Sequence, residues 1–273
     1  MTTRRGEVSA SLIAEAEAMA DAADARSGVR TRPARRDELD GVLARFESTW
    51  GSGRGADLAT IQALEHAGNT VLVAVPEDER ADAAATPIGA TLGFLGWSGG
   101  LHVHSHMNAV DPTARGRGIG VALKLRQRAV CLEHGITEIR WTYDPLIRRN
   151  ARMNLIRLGA EVTDFYPDHY GELRDAITGA DHSDRFEVRW RLDSPRTARA
   201  LARGPVPEWR AEGGLPLVAD YERVRAEDSD AAARLRAASR EAFAVFVRDP
   251  SLRVELDGGG DYVFTHDDPD RTV

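Results

Sequence analysis

Two neighbouring stretches of this chain carry residue types that do chemistry. His102, His104 and His106 alternate along 101–110, and Val110-Asp-Pro-Thr-Ala-Arg115-Gly-Arg-Gly-Ile-Gly120 follows at once. Imidazole titrates near neutrality, so a strand that holds it on one face delivers a proton acceptor. Alternating glycines let successive backbone N–H groups converge on an anion, and a helix that starts there adds unpaired N–H groups and its positive dipole end. Val110, Arg115, Gly116, Arg117, Gly118, Ile119 and Gly120 are therefore read as a pyrophosphate cradle.

Spacing tests the other phosphate loops. A dinucleotide fingerprint needs a glycine three residues after its second one, and those positions hold Val121 or Leu123. A Walker loop needs Lys and Ser or Thr after its last glycine, where Val121 and Ala122 stand. Arg115-x-x-Gly118-x-Gly120 remains. Three histidines at period two also invite a shared divalent ion, but no cysteine or suitable carboxylate completes such a set, and no metal is expected. The plainer alternative is that the histidines make structural hydrogen bonds within a sheet.

The elements that position these residues follow from periodicity and breakers. A helix-forming segment at 7–25 lies outside the core unit. Strand 28–35, amphipathic helix 36–50 with Leu39, Val42, Leu43 and Phe46 on one face, glycine-rich loop 51–56, helix 58–67 and buried strand 70–75 come next. After a charged turn at 77–85, strands 88–97 and 101–110 form a hairpin through Ser98-Gly99-Gly100. Helix 119–133 carries Ile119, Ala122, Leu123, Ala129 and Val130 as its apolar stripe. Strand 138–143 stops at Asp144-Pro145, helix 147–158 stops at Gly159, and strands 162–166 and 186–192 close the series. Beyond it, 194–214 reads as a linker or extended arm before a segment at 215–224. Helix 228–248 and a hairpin of 253–256 with 262–265 then form a cap or dimerisation element. The expected division is 1–27, 28–193 and 194–273, and 266–273 is a frayed tail.

Composition bounds partners and compartment. With 273 residues and 42% hydrophobic content the chain can bury a core. Its net charge of −7 argues against nucleic acid or an acidic membrane as partner. Residues 112–160 nonetheless hold ten Arg or Lys against three Asp or Glu, a basic island suited to a small polyanion. Neither a membrane span nor a signal peptide is apparent, so the cytoplasm is the expected location. The single cysteine, Cys131, excludes an internal disulfide framework. Lys124 is the only lysine, which points either to a need for a compact ammonium there or to chance.

The Arg-x-x-Gly-x-Gly loop resembles the acyl-CoA loop of the GNAT N-acyltransferase superfamily, and the order strand, helix, helix, three strands, helix, strand, helix, strand, strand is that family's order. His104-Ser-His-Met107, Trp141-Thr-Tyr-Asp-Pro-Leu146, Asn150-Ala-Arg-Met-Asn154, Leu158-Gly-Ala160 and Ser183-Asp-Arg-Phe186 resemble one subgroup of GNAT acyltransferases. The resemblance covers 29–192 and echoes weakly beyond. It implies an α/β (α+β) GNAT fold with a mixed central sheet flanked by helices, with acetyl-CoA or succinyl-CoA as co-substrate. The implied reaction is acyl transfer to a small-molecule amine, since some relatives N-succinylate amino acids.

Amine acylation by direct attack needs a proton acceptor, oxyanion donors and placement of both reactants. His104 or His106 is the expected base, directly or through water. Many GNAT members place a tyrosine four residues before the glycine that closes the helix after the fifth strand; Leu155 stands there, leaving Tyr143, Tyr166 and Tyr170 as substitutes of equal standing. Asn150 and Asn154, at i,i+4 spacing, are expected on CoA and on substrate respectively, or as packing residues. Asp144 is a candidate for a substrate ammonium or an ordinary turn residue. Arg148, Arg149, Arg152 and Arg185 are candidate readers of a carboxylate. The competing reading is a GNAT-fold CoA-binding regulatory module without catalysis. A homodimer is compatible with either.

Overall fold

Ser9 starts the first helix and Gly28 stops it. In α1, Ala10–Ser27, the Ser9 hydroxyl accepts from the Leu12 N–H, and Gly28 takes the left-handed φ of 62° that a helix C-terminus favours. The structure, a computed structural model, describes residues 8–77, 87–171 and 181–270. The chain is α+β, with a mixed seven-stranded sheet flanked by helices, as expected. It forms two compact units, the first running to Ile139 and the second starting at Arg140.

In the first unit, β1 (Val29–Pro33), β2 (Thr70–Pro76), β3 (Gly89–Gly96) and β4 (His102–Val110) pair in that order, all antiparallel. The helices α2 (Leu39–Trp50) and α3 (Leu58–His66) cover one face. Leu39, Val42, Phe46 and Ile61 pack there against Val71, Val73, Val75, Ala90, Leu92, Met107 and Ala109. The other face takes α4 (Ile119–Glu133), whose Ile119 and Leu123 lie so close to Gly89 that an added Cβ would sit 3.1 Å from each.

The N-terminal helix is not outside this unit. Ala16, Ala20 and Ala23 bury its inner face, and small side chains allow close approach to α4. From α4, Arg126 reaches Glu17 (2.8 Å), Asp21 (2.6 Å) and Asp24 (3.2 Å), and it donates to the Thr31 hydroxyl at 3.1 Å. Covered on two sides, α4 buries Lys124, Gln127 and Arg128 besides its apolar stripe. The turn expected at 77–85 lies, after Glu77, outside the described residues.

The β3–β4 hairpin departs from regular alternation. Leu92 pairs with Met107 but Gly93 with Ser105, so His106 is an extra residue, a β-bulge. The bulge resets which side chain faces which way. Ser105 and Asn108 hydrogen-bond to α4, whereas Met107 and Ala109 enter the core under α2 and α3.

In the second unit, β5 (Glu138–Tyr143) leads to α5 (Arg148–Ala151). The helix expected at 147–158 continues as a π-turn over Arg152–Arg157, closed by Leu158 N–H donating to the Met153 carbonyl at 3.0 Å. β6 (Glu161–Tyr166) and β7 (Arg185–Arg191) are antiparallel neighbours. The arm expected at 194–214 contains α6 (Pro195–Leu201), which Ser194 caps by accepting from the Thr197 N–H. Then come β8 (Gly213–Leu215), α7 (Tyr221–Glu227), α8 (Ser229–Arg248), β9 (Arg253–Leu256) and β10 (Tyr262–Thr265); β8, β10 and β9 form a second sheet.

Phe243 of α8 stacks edge-on with Phe165 of β6 and Tyr262 of β10, and Phe186 of β7 joins the cluster. Arg196 of α6, 3% exposed at its side chain, makes two hydrogen bonds to Glu255 of β9 and two to the Gly159 and Ala160 carbonyls. The residues after 193 thus share one core with β6 and β7, and the expected boundary at 193/194 falls inside the second unit.

Candidate functional site

The glycine loop is built by its backbone. Asp111 accepts from the Thr113 N–H and hydroxyl, a tight turn at Pro112–Ala114 follows, and Gly116 (φ 82°) and Gly118 (φ 91°) take left-handed conformations that favour glycine. Gly118 is also the N-cap of α4 and supplies no side-chain acceptor. The first-turn N–H groups of Ile119 and Gly120 therefore point out of an uncapped helix end, where an anion is favoured by hydrogen bonding and by the dipole.

Two arginines pin this loop. Arg45 of α2 holds Asp111 at 2.9 Å, and Arg117 donates to the Ser27 carbonyl of α1 at 2.9 Å. The Ser27 hydroxyl also lies against Gly118, 3.1 Å from where a Cβ would be. Arg117, expected as a phosphate ligand, serves here as a clasp to the end of α1. Arg115 is exposed and makes no side-chain hydrogen bond or ion pair among the described residues. If the loop holds CoA, as its resemblance implies, Arg115→Ala is expected to raise the Kd for CoA about tenfold, as the loss of one charge-assisted phosphate contact does, and Arg117→Ala to act mainly on the melting temperature. Calorimetric titration with CoA and thermal unfolding of both variants check this.

Asn108 was not legible as a site residue. Its Nδ2 donates to the Gly120 carbonyl at 3.3 Å, and its buried Oδ1 has no partner among the described residues. An orphaned acceptor at the mouth of α4 fits a ligand that carries amide N–H groups. Val110 ends β4 beside it and pairs with Gly89.

The three histidines separate. His102 is buried and donates from Nδ1 to the Gly100 carbonyl at 2.8 Å, a structural role. His104 and His106 lie 6.1 Å apart and both contact the Phe94 ring, at 5.4 and 5.8 Å. Partial burial holds the His106 pKa below the imidazole value of 6.5, although the residue is exposed to solvent. It is thus neutral, and able to accept a proton, at physiological pH.

In the second unit, Asp144 is already engaged. Its carboxylate accepts two hydrogen bonds from Arg236, at 2.8 and 2.7 Å, and one from the Leu146 N–H at 3.0 Å. It is not open to a substrate ammonium. Arg148 bonds the Leu217 and Gly259 carbonyls, Arg149 pairs with Glu222, and Arg185 donates to the Asp184 carbonyl while lying over Tyr170. Arg152 is exposed and without a side-chain partner among the described residues.

Asn150 is half-buried. Asn154 is 1% exposed, with no partner for its Oδ1 among the described residues, so the two do not present one open stripe. Of the candidate acids, Tyr143 is buried and its hydroxyl meets Tyr262, whose hydroxyl donates on to the Pro145 carbonyl. Burial pushes its pKa far up, which with this chain of hydrogen bonds removes it as a ready proton donor. Burial also raises Tyr166, to about 12, and Tyr170 is exposed. Among the described residues no three of His, Cys, Asp and Glu sit together as metal ligands would, and no helix is long and apolar enough to cross a membrane.

No family model matches the chain, and no curated protein matches it. Among solved structures, Arabidopsis thaliana NAA60 in complex with acetyl-CoA is similar at 13% identity, over 60% of this chain and 99% of that one, with a TM-score of 0.49. Arabidopsis thaliana Naa50 in complex with the bisubstrate analogue CoA-Ac-MVNAL is similar at 20% identity, over 59% and 97%, with a TM-score of 0.46. Salmonella typhimurium yncA with acetyl-CoA is similar at 18% identity, over 61% and 95%, with a TM-score of 0.47. At these identities and scores the likeness bears on neither activity nor substrate.

Proposed function

We propose that the chain is an acyl-CoA-dependent N-acyltransferase of the GNAT type that transfers an acetyl or succinyl group to the amine of a small molecule, such as an amino acid. The carrying observation is the loop. Left-handed glycines run into an uncapped helix end beside Arg115, whose side chain has no partner among the described residues, a donor set that suits a pyrophosphate. In this reading the N–H groups of Gly116 to Gly120 and Arg115 hold the diphosphate, and Asn108 Oδ1 accepts from a pantetheine amide. Acyl-CoA supplies an activated thioester carbonyl.

The residues of this chain then do the rest. His106 takes the proton of the attacking amine, with His104 beside it, and an extra bulge residue leaves backbone groups off the ladder that can face a developing oxyanion. A cytoplasmic location follows from the proposal, since acyl-CoA is an intracellular donor; a homodimer is compatible with it.

A second reading has one observation in its favour. Leu155 occupies the place of the expected acid and Tyr143 is committed to Tyr262, so a CoA-binding module without chemistry also fits. Thiol release from acetyl-CoA and succinyl-CoA, measured against a panel of amino acids and other small amines, separates the two. Turnover with any acceptor supports the enzyme, whereas tight CoA binding without transfer across the panel supports the module.

A further inference from the structure

Under α4 lies a polar circuit that neither the loop nor the base accounts for. Lys124 Nζ donates to Ser105 Oγ at 2.7 Å, and Ser105 Oγ donates to Gln127 Oε1 at 2.8 Å. Gln127 Nε2 donates to Thr70 Oγ1 at 2.8 Å, and Thr70 Oγ1 donates to the Gly93 carbonyl at 3.2 Å. All four side chains are buried, Lys124 at 2% and Gln127 at 0% exposure. The circuit starts at Ser105 and ends at Gly93, and these two residues are register partners at the bulge that contains His106.

We propose that Lys124 is a positioning residue: acting through Ser105, it locks the β4 bulge in the one register that aims His106 and His104 toward Phe94. The proposal rests on the reading of His106 as the base. A β-bulge can migrate by a residue, and each step exchanges the faces of the side chains it passes. Moving it toward the hairpin would turn Ser105 away from α4, taking one acceptor from Lys124 and leaving the buried Gln127 Oε1 without the hydroxyl that donates to it, which is costly. Gly93 completes the lock. A Cβ there would lie 2.6 Å from Gln127 Nε2 and 2.7 Å from Thr70 Oγ1, so the circuit passes only over a glycine.

The choice of lysine follows. A guanidinium brings five donors in a fixed fork and keeps its charge, whereas an amine can shed its charge and still donate. Every other basic side chain in the sequence apart from histidine is arginine. Burial lowers the Lys124 pKa to about 7.

The test uses Lys124→Met, which keeps length without a donor, and Ser105→Ala as a second variant in case the first does not fold. Imidazole resonances of His106 are followed by NMR through a pH titration, alongside turnover and CoA affinity. The expected result is a folded protein with CoA affinity within about twofold of wild type and a kcat lowered about tenfold by misplacement of the base. The His106 titration midpoint should move up toward 6.5, and the double variant with His106→Ala should be no slower than His106→Ala alone. Folded variants with the wild-type His106 titration and kcat would overturn the proposal. Should His106→Ala leave turnover intact, the base assignment fails instead, and the NMR titration still decides whether Lys124 sets the histidine.

Discussion

His106→Ala is expected to lower kcat for amine acylation about a hundredfold, in the usual range for loss of a general base, with the Kd for CoA unchanged. In the proposed function the diphosphate is held by residues 111–120, which follow His106 in the chain and do not include it. The pH dependence carries a sign. Because burial depresses the His106 pKa, the neutral base persists to more acidic pH than an exposed imidazole would. The acid limb of kcat/KM for the amine should therefore have its midpoint below 6.5, and His106→Ala should abolish that limb. His104→Ala should cost less, through loss of the ring packed beside His106 and Phe94. A pH–rate series on the three proteins checks both points.

Arg236→Ala is expected to destabilise the second unit by roughly 3–5 kcal/mol, the range found when one partner of a buried charge cluster is removed. Arg236, 1% exposed at its side chain, is shared by Asp144 and Asp181, the latter at 2.7 Å, and Asp181 also accepts from the Tyr221 hydroxyl. Removal leaves two carboxylates without their main donor, and Lys at 236 should restore only part of the loss because it lacks the two-pronged fit to Asp144. Burial alone raises the Asp181 carboxyl, but the Arg236 hydrogen bond and charge outweigh it and hold the pKa below 3.8. The stability contributed by Asp181 is therefore present above pH 3.8 and lost as the pH falls through the lower folded value. In Arg236→Ala that balance reverses, and acid unfolding should begin at higher pH. Urea titrations from pH 3 to pH 7 measure both effects.

What the sequence discloses is what local chemistry decides. The bounds Ile119–Glu133 of α4 are legible because glycines precede it and its apolar residues repeat at helical spacing. Ser194-Pro195 at the head of α6 was equally legible, a capping hydroxyl with proline at the first helical position, but the surrounding Arg, Pro and Gly suggested an arm. The bulge at His106 is of another kind. It depends on Gly93, Ser105, Lys124 and Gln127 meeting in space, and strict alternation was the only expectation the strand itself could support. The partner of Asp144 lies 92 residues away, and nothing near Asp144-Pro145 signals it. Arg117 reads as a phosphate ligand in sequence for the same reason, since its true acceptor is a carbonyl 90 residues earlier.

That distance sets an order of events during folding. The first helix leaves the ribosome early, but the arginines that receive it are 90 to 109 residues further on. A helix in a protein draws most of its stability from tertiary packing, and bringing partners so far apart in sequence together costs loop-closure entropy. Docking of α1 should therefore come late, after the four strands and α4 have assembled. The Ser27 carbonyl and hydroxyl that brace the glycine loop arrive only with that step. A nascent chain would gain its anion cradle in finished form at the end of folding, so CoA added during refolding should speed nothing early and trap the last state to form.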